Sequence, residues 1–389
     1  MPTPDPTAPV LVSAARTPFG RFNGALAGVD SIDLGAAAVS AAIDRAGGIV
    51  PDRVLLGNVV QAGNGQNPAR IAATRAGIPM TVPATTLNDV CLASMSAIAF
   101  AATLIRTEQI GTAVVGGFDS MSRALHGVQV RAARKTGDGA LVDLLMRDGL
   151  WCALTDQGMG ELSEQANIDL GIDRAAQDEF AARSQQRAQQ ATEAGRLTAE
   201  IVPVAKVDID QDEGIRPGTT VEILARLRPA FLPAGSITAG NSSQMTDGGS
   251  AGVVTSRRHA AELGLPPLVE VVGAAVVAGP DASLHLKPAD AAFRLLERHG
   301  LSVKDIGLWE INEAFAGVVV ASMRALELDP EQVNVNGGAV AVGHPLAASG
   351  LRLVQTLTLQ MRRAGVEWGI ATMCGGGGQG QAILLRLLS

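Results

Sequence analysis

Pro83-Ala-Thr-Thr-Leu87, a turn, Cys91 to Arg106, then Thr112-Ala-Val-Val115 and Gly116-Gly117 form the stretch that decides the fold. It reads as strand, turn, helix, strand. The order returns near the end of the chain. Gln332 to Val335 is followed by a Gly-rich turn, the helix-like Ala347 to Arg363, the strand Gly369 to Met373 and further glycines. The units upstream also correspond. Leu34 to Ala46 is helical, Gly47-Gly48 ends it, and Pro51-Asp52 leads into the strand-like Val54 to Val60. Ala289 to His299 is helical, Gly300 ends it, and Lys304-Asp305 leads into Ile306 to Ile311. Strands alternating with helices indicate parallel sheets covered by helices, an α/β class. Two such halves suggest a duplicated architecture, although the match is one of pattern and leaves coincidence open.

Between the halves, roughly Met121 to Asp247, the pattern changes. This stretch holds a polar helix candidate, Arg174 to Ala194, with little apolar surface, and loop-like segments such as Asp208 to Thr219. It reads as an insertion running over the surface, serving as a lid or an oligomer contact, or else as a solvated excursion.

Composition narrows the function. The 389 residues are enough for two or three domains. Hydrophobic residues make up 47% and charged residues 18%, which fits large cores and excludes disorder. A net charge of −7 argues against general nucleic-acid or membrane-surface binding. No apolar run is long enough to span a bilayer. Cys91, Cys152 and Cys374 lie far apart without CxxC spacing, so neither a disulfide framework nor a metal site is expected. The Pro-rich start, Met1 to Pro9, reads as a frayed tail and not a signal peptide. A reducing, cytoplasmic location fits these features.

The chemistry gathers in four places. Cys374 precedes Gly375-Gly-Gly-Gly378, where backbone N–H groups can approach a ligand with no Cβ in the way. A packing cysteine before a flexible loop is the plainer alternative. Cys91 opens a helical pattern, where the dipole is expected to lower its pKa and favour the thiolate. His344 stands at a Gly-rich turn before another helix and can act as base for a thiol. His259 and His299 fall in polar helical stretches and are expected to be solvated; His126 and His285 receive no role. Asn312 sits at a predicted strand end, where functional groups collect in open α/β sheets; it can orient a water, donate to an oxyanion or cap the next segment. Glu313 reads equally as a structural ion-pair partner.

Asn88-x-x-Cys91, Asn312-Glu-Ala-Phe-Ala316, Gly343-His-Pro345 and Cys374-x-Gly-Gly-Gly378 occur in this order across the chain. Arg16-Thr-Pro-Phe-Gly20, Leu227-Arg-Pro-Ala-Phe231, Thr238-Ala-Gly-Asn-Ser-Ser243 and Asn334-Val-Asn-Gly-Gly338 accompany them. Together they resemble the thiolase family over nearly the full length. The resemblance implies two duplicated five-layered α/β halves with an inserted loop domain. The N-terminal half would span 1–120 with 247–266, the insertion 121–246 and the C-terminal half 267–389. It implies reversible Claisen condensation, or thiolysis, of 3-ketoacyl-CoA by ping-pong chemistry. Cys91 would carry the acyl group, His344 would deprotonate it, and Cys374 would move the α-carbon proton. His344 and a water on Asn312 would hold the enolate oxygen, and the N–H groups of Cys91 and Gly376 the tetrahedral oxyanion. Coenzyme A would be substrate and product, with no permanently bound cofactor and no metal. Arg216 would contact its nucleotide, and Phe231, Ser243, Ala314 and Phe315 its pantetheine. A homo-oligomer, dimer or dimer of dimers, is implied, with the insertion supplying the tetramer contact.

The sequence also departs from the family. Ala347 replaces the usual Gly after Gly-His-Pro-x, where its methyl could crowd the turn. Ala93-Ser94 follows Cys91 where the family often has a Gly, and Gly158 precedes Met159 where many short-chain members have His. What remains most resembles the bacterial acetyl-CoA acetyltransferases. A 3-ketoacyl-CoA thiolase of broader chain length, a decarboxylating ketoacyl synthase and a non-catalytic CoA-ester binder are the alternatives; Cys374 argues against the synthase.

Overall fold

The computed structural model describes residues 5–131 and 138–388. Nine strands carry the main sheet: β1 (Pro9–Arg16), β2 (Arg53–Gly57), β3 (Ala84–Leu87), β4 (Thr112–Ser120), β5 (Thr246–Ser256), β6 (Val269–Ala278), β7 (Leu308–Ile311), β8 (Trp368–Gly375) and β9 (Gln379–Arg386). Their order is β7-β8-β9-β6-β1-β5-β4-β2-β3, with the two-residue strand Gly20–Arg21 added on β5. The β2–β3, β2–β4 and β7–β8 pairs are parallel. The halves join where Val10 and Leu11 of β1 meet Glu270 and Val269 of β6.

Seven helices matter here: α1 (Ser31–Arg45), α2 (Ala93–Arg106), α3 (Met159–Asp169), α4 (Arg174–Glu193), α5 (Lys287–His299), α6 (Ala316–Leu326) and α7 (Ser349–Ala364). Burial separates them into layers. Ile98 and Ala101 of α2 and Leu353 and Leu357 of α7 share a core with strand residues of both halves, so these helices form the central layer. The α1 residues Ala38, Val39 and Ala42 cover the other face of the N-terminal half. Leu295 and Leu296 of α5 and Val319 of α6 do the same for the C-terminal half. The duplicated five-layered α/β architecture expected from the sequence is therefore present.

Four expectations change. The strand expected over 332–335 is reduced to one parallel bridge, Trp309 to Val333. Asn334 takes a left-handed φ of 47°, and its side chain replaces the ladder. Its Oδ1 accepts from the Ile311 N–H and its Nδ2 donates to the Ile311 carbonyl, both at 2.8 Å. The polar helix α4 is not a solvated face. It buries Phe180, Ala181, Ala188 and Ala191, and its buried Ser184 and Gln185 hydrogen-bond Glu313 and the Val340 carbonyl. Small residues and satisfied amides replace large apolar side chains there. Residues 1–4 of the expected tail lie outside the described residues, but Pro9 already opens β1. The carbonyls of Pro6 and Ala8 accept from Arg258 and Arg257 N–H groups, each at 2.9 Å. Glu313 has no ion-pair partner among the described residues. It is fully buried and accepts from Ser184, Asn334 and the Val340 N–H, tying α4 to the 334–340 turn.

Candidate active site

The four sequence motifs converge from both halves. Cys91 follows β3 through a tight turn in which the Leu92 and Ala93 N–H groups donate to the Asp89 and Val90 carbonyls. Val90 adopts a φ of 47°, costly for a β-branched residue and the kind of strain found where a nucleophile is presented. Helix α2 starts at Ala93, so Cys91 lies just ahead of it and not in its first turn. The residue is partly buried, and its sulfur receives the N–H groups of Gly376 and of Cys91 itself. Cys374, near the end of β8, is 1% exposed and lies within electrostatic reach of Cys91. Its neighbours Ala314, Phe315, Val318 and Leu284 form one apolar cluster with it.

The expected low pKa of Cys91 is not what the site produces. Burial pushes the thiol up to about 12, against the two N–H groups that favour the thiolate. Cys374 is also displaced well upward, first by burial and then by the neighbouring Cys91. Both residues rest as thiols, so deprotonation of Cys91 must accompany its attack.

His344 is 4% exposed. Its Nδ1 lies 2.6 Å from the Ser349 hydroxyl, which itself donates to the Pro345 carbonyl at 3.0 Å. In that arrangement Nδ1–H donates to Ser349 and Nε2 presents a lone pair. Asn312 Nδ2 faces Nε2 at 3.4 Å, while the Asn312 Oδ1 has no partner. Asn312 follows β7 directly and extends its ladder, its N–H donating to the Thr372 carbonyl at 3.0 Å. Gly343 must be glycine: its φ is 101°, and a Cβ would stand 2.2 Å from Thr246 Cγ2. Burial, then Arg352, pulls the imidazole down to about 3, so it is neutral through the physiological range. Any step that uses this imidazole as a base is accordingly expected to show no inflection near the ordinary histidine value of about 6.5. A rate profile from acid to neutral pH that titrates there would overturn the neutral His344.

Asp119, which carries no motif, joins the halves behind this site. Its carboxylate accepts from Asn58 Nδ2 and the Val59 and Val60 N–H groups on one side, and from the Ala347 N–H at 2.8 Å on the other. Burial raises it to about 6 despite these donors. Ala347 does not crowd its turn. Its methyl faces Gly57 and Gly117, where added Cβ atoms would come within 3.1 and 3.2 Å of it. Ala93 packs on the same Gly57, and Ser94 Oγ accepts from the Leu351 N–H at 3.0 Å, linking α2 to α7. At Gly158 a Cβ would meet only Glu161 and Trp151, at 3.8 Å or more.

The pantetheine candidates are together. The Phe231 and Phe315 rings meet edge-on with centroids 6.0 Å apart, Ser243 N–H donates to the Ala314 carbonyl, and Phe231 covers Gly160. Arg216 is exposed, and its N–H donates to Gln185 of α4. His259 is partly exposed beside Glu262 and His299 is exposed, whereas His285 is buried with Nε2 2.8 Å from Asn167 Oδ1. Among the described residues, no group of three or more His, Cys, Asp or Glu is arranged to hold a metal ion, and no helix is long and apolar enough to cross a membrane.

The arrangement pairs two thiols under backbone donors, and a neutral imidazole with Asn312 and Ser349, a set that suits acyl transfer followed by proton movement at carbon. Comparison with known proteins agrees. Residues 9–258 match the family model for the thiolase N-terminal domain, and 265–387 that for the thiolase C-terminal domain. A probable acetyl-CoA acetyltransferase of Mycobacterium leprae is 45% identical, covering 98% of this chain and 99% of that protein. The acetyl-CoA acetyltransferase of Escherichia coli is 43% identical, with 98% and 99% covered. The crystal structure of the Bacillus anthracis acetyl-CoA acetyltransferase superposes with a TM-score of 0.94 at 37% identity, covering 98% of this chain and 99% of that one. With motifs, layers and matches all spanning nearly the full length, this chain belongs to the thiolase family.

Proposed function

We propose that the protein is an acetyl-CoA acetyltransferase that condenses two acetyl-CoA to acetoacetyl-CoA and CoA, reversibly, through acetyl-Cys91. The observation that carries this reading is the pairing of Cys91, under the Gly376 N–H, with a second buried thiol, Cys374, which lies near enough to be raised by Cys91. His344 Nε2 takes the Cys91 proton as the sulfur attacks the acetyl carbonyl. The oxyanion rests on the Cys91 and Gly376 N–H groups; a donor of this kind is typically worth about 10²–10³ in rate. Cys374 gives its proton to the departing CoA sulfur, and its thiolate then takes an α-proton from the second acetyl-CoA. His344 and a water on Asn312 stabilise the enolate oxygen. The enolate attacks acetyl-Cys91, whose sulfur leaves and regains its proton. CoA would enter along Phe231, Ser243, Ala314 and Phe315, with Arg216 at the rim and residues 121–246 as the cover.

Turnover of acetoacetyl-CoA against a medium-chain 3-ketoacyl-CoA tests the substrate assignment. Preference for acetoacetyl-CoA is expected; strong preference for the longer substrate would replace this reading by a thiolase of broader chain length.

A dimer fits the sheet. Strand β3 is the outer strand of the N-terminal half, and no further strand pairs with its edge, where the Ala84 carbonyl accepts from Asn67. Light scattering is expected to give a multiple of the protomer mass, two or four; a monomer at micromolar concentration would exclude it. A cytoplasmic location and a role in fatty acid metabolism are consistent with this substrate.

A further inference from the structure

We propose that Cys152 is a positioning residue of the oxyanion hole: its sulfur holds the Gly375–Gly378 loop from the side of the 121–246 insertion and so aims the Gly376 N–H at the acyl carbonyl on Cys91. The proposal rests on the acetyltransferase reading above, in which that N–H holds the tetrahedral oxyanion.

Its origin is a difficulty in the loop itself. Four consecutive glycines have the widest choice of backbone dihedrals, so the local sequence does not fix the direction of any N–H in Gly375-Gly-Gly-Gly378. An oxyanion donor contributes only when it already points to the place where charge develops. The loop must therefore be held from outside. Backbone holds its ends. Gly375 is in register with Gln379 across β8 and β9. The Gly378 carbonyl accepts from the Gly279 N–H at 3.0 Å, and a Cβ on Gly378 would stand 2.0 Å from the Asp281 carbonyl oxygen. Lys287 Nζ braces that turn by donating to the Gly279 carbonyl at 2.8 Å. Between these ends, two consecutive N–H groups go to two sulfurs, Gly376 to Cys91 and Gly377 to Cys152.

Cys152 is itself firmly held. It is 3% exposed and lies in a hairpin where Trp151 pairs with Gly158 and Cys152 with Gln157. Trp151 Nε1 closes the turn by donating to Asp156 Oδ1 at 3.0 Å. The Thr155 hydroxyl and the Thr155 and Leu154 N–H groups also reach the Cys152 sulfur. Leu154 lies over the loop, its Cδ1 3.7 Å from the place of a Cβ on Gly377. Burial alone would raise the Cys152 thiol, but these donors bring it below its ordinary value, the reverse of Cys91 and Cys374. A sulfur with more thiolate character accepts an N–H more strongly. With the Gly377 peptide anchored on one side and Gly375 in the ladder on the other, the backbone at Gly376 is restrained from both directions.

The test compares Cys152→Ala and Cys152→Ser with the wild type in each half-reaction. A tetrahedral oxyanion forms on acetylation of Cys91 and again on condensation, so loss of the Gly377 anchor should slow both. Cys152→Ala is expected to reduce single-turnover acetylation and condensation by the same factor, about tenfold, a part of the 10²–10³ lost with a whole donor. The kcat for thiolysis of acetoacetyl-CoA should fall with KM unchanged, the mark of an interaction made only in the transition state. Cys152→Ser, whose hydroxyl accepts from the same N–H, should recover most of the rate. The hairpin lies at the surface, with Trp151, Leu154 and Gln157 exposed, so both variants should melt close to the wild type. Unchanged half-reactions in Cys152→Ala, slowing of only one of them, a raised KM at constant kcat, or a serine variant no faster than the alanine one would overturn the proposal. Absence of acetyl-Cys91 in the wild type would instead overturn the acetyltransferase reading itself.

Discussion

Cys91→Ala is expected to lose turnover by on the order of 10⁶-fold, the scale associated with removing a covalent nucleophile. The size follows from what the site leaves behind. His344 and the Gly376 N–H would still bind and polarise a thioester, but no sulfur would accept the acyl group. Cys374 cannot substitute for it. That thiol is 1% exposed in an apolar cluster, and burial together with the neighbouring sulfur holds it well above its ordinary pKa. The fold should survive, because Cys91 is only half-buried and removing its sulfur opens no large cavity. Thermal melting close to wild type, with steady-state thiolysis at background, is the expected pair of results. Appreciable thiolysis in Cys91→Ala would refute the covalent route.

Cys374→Ser is expected to split the reaction. The serine keeps the size and polarity of the position but is a far weaker acid than the thiol. Cys91, His344 and the backbone donors remain, and CoA can depart as a thiolate without the proton from Cys374, so acetyl-Cys91 should still form. The α-proton then has no suitable acceptor, and condensation should fall by about 10²–10⁴-fold, the range of general acid–base catalysis. Stopped-flow release of the first CoA, compared with acetoacetyl-CoA formation, measures the two steps. Loss of both in equal measure would mean that proton delivery to the departing CoA, and not removal of the α-proton, is the step that depends on Cys374, and the division of labour between the thiols would be wrong.

The central site was readable in the sequence because each of its members stands in a short local motif. Cys91, Asn312, His344 and Cys374 are set by turns at strand ends or helix starts, and these turns need residues that are visible in order. What was not readable depends on approach in space. Ser349 lies in the same Gly343 to Gly350 run as His344, yet its contact with Nδ1 exists only once α7 begins at that residue. Asp119 receives donors from residues 58–60 of the N-terminal half and from Ala347 of the C-terminal half, so no window of sequence contains its site. The protonation state of Cys91 is hidden from the sequence for a related reason. A helix start argues for thiolate, but desolvation of the sulfur outweighs two backbone donors. In the fold, the duplicated order of strands and helices was legible. The missing strand at 332–335 was not, because a single Asn334 side chain takes over the hydrogen bonds of Ile311. Helix α4 likewise hides its burial behind alanines and glutamines, which look solvated until their partners are known.

The most direct test of the account is mass spectrometry of the protein after brief exposure to acetyl-CoA, followed by peptide mapping. One acetyl group per chain, located on Cys91 and discharged by added CoA, is the predicted result. An unmodified chain, or an acetyl group on Cys374 or Cys152 with Cys91 free, would contradict it.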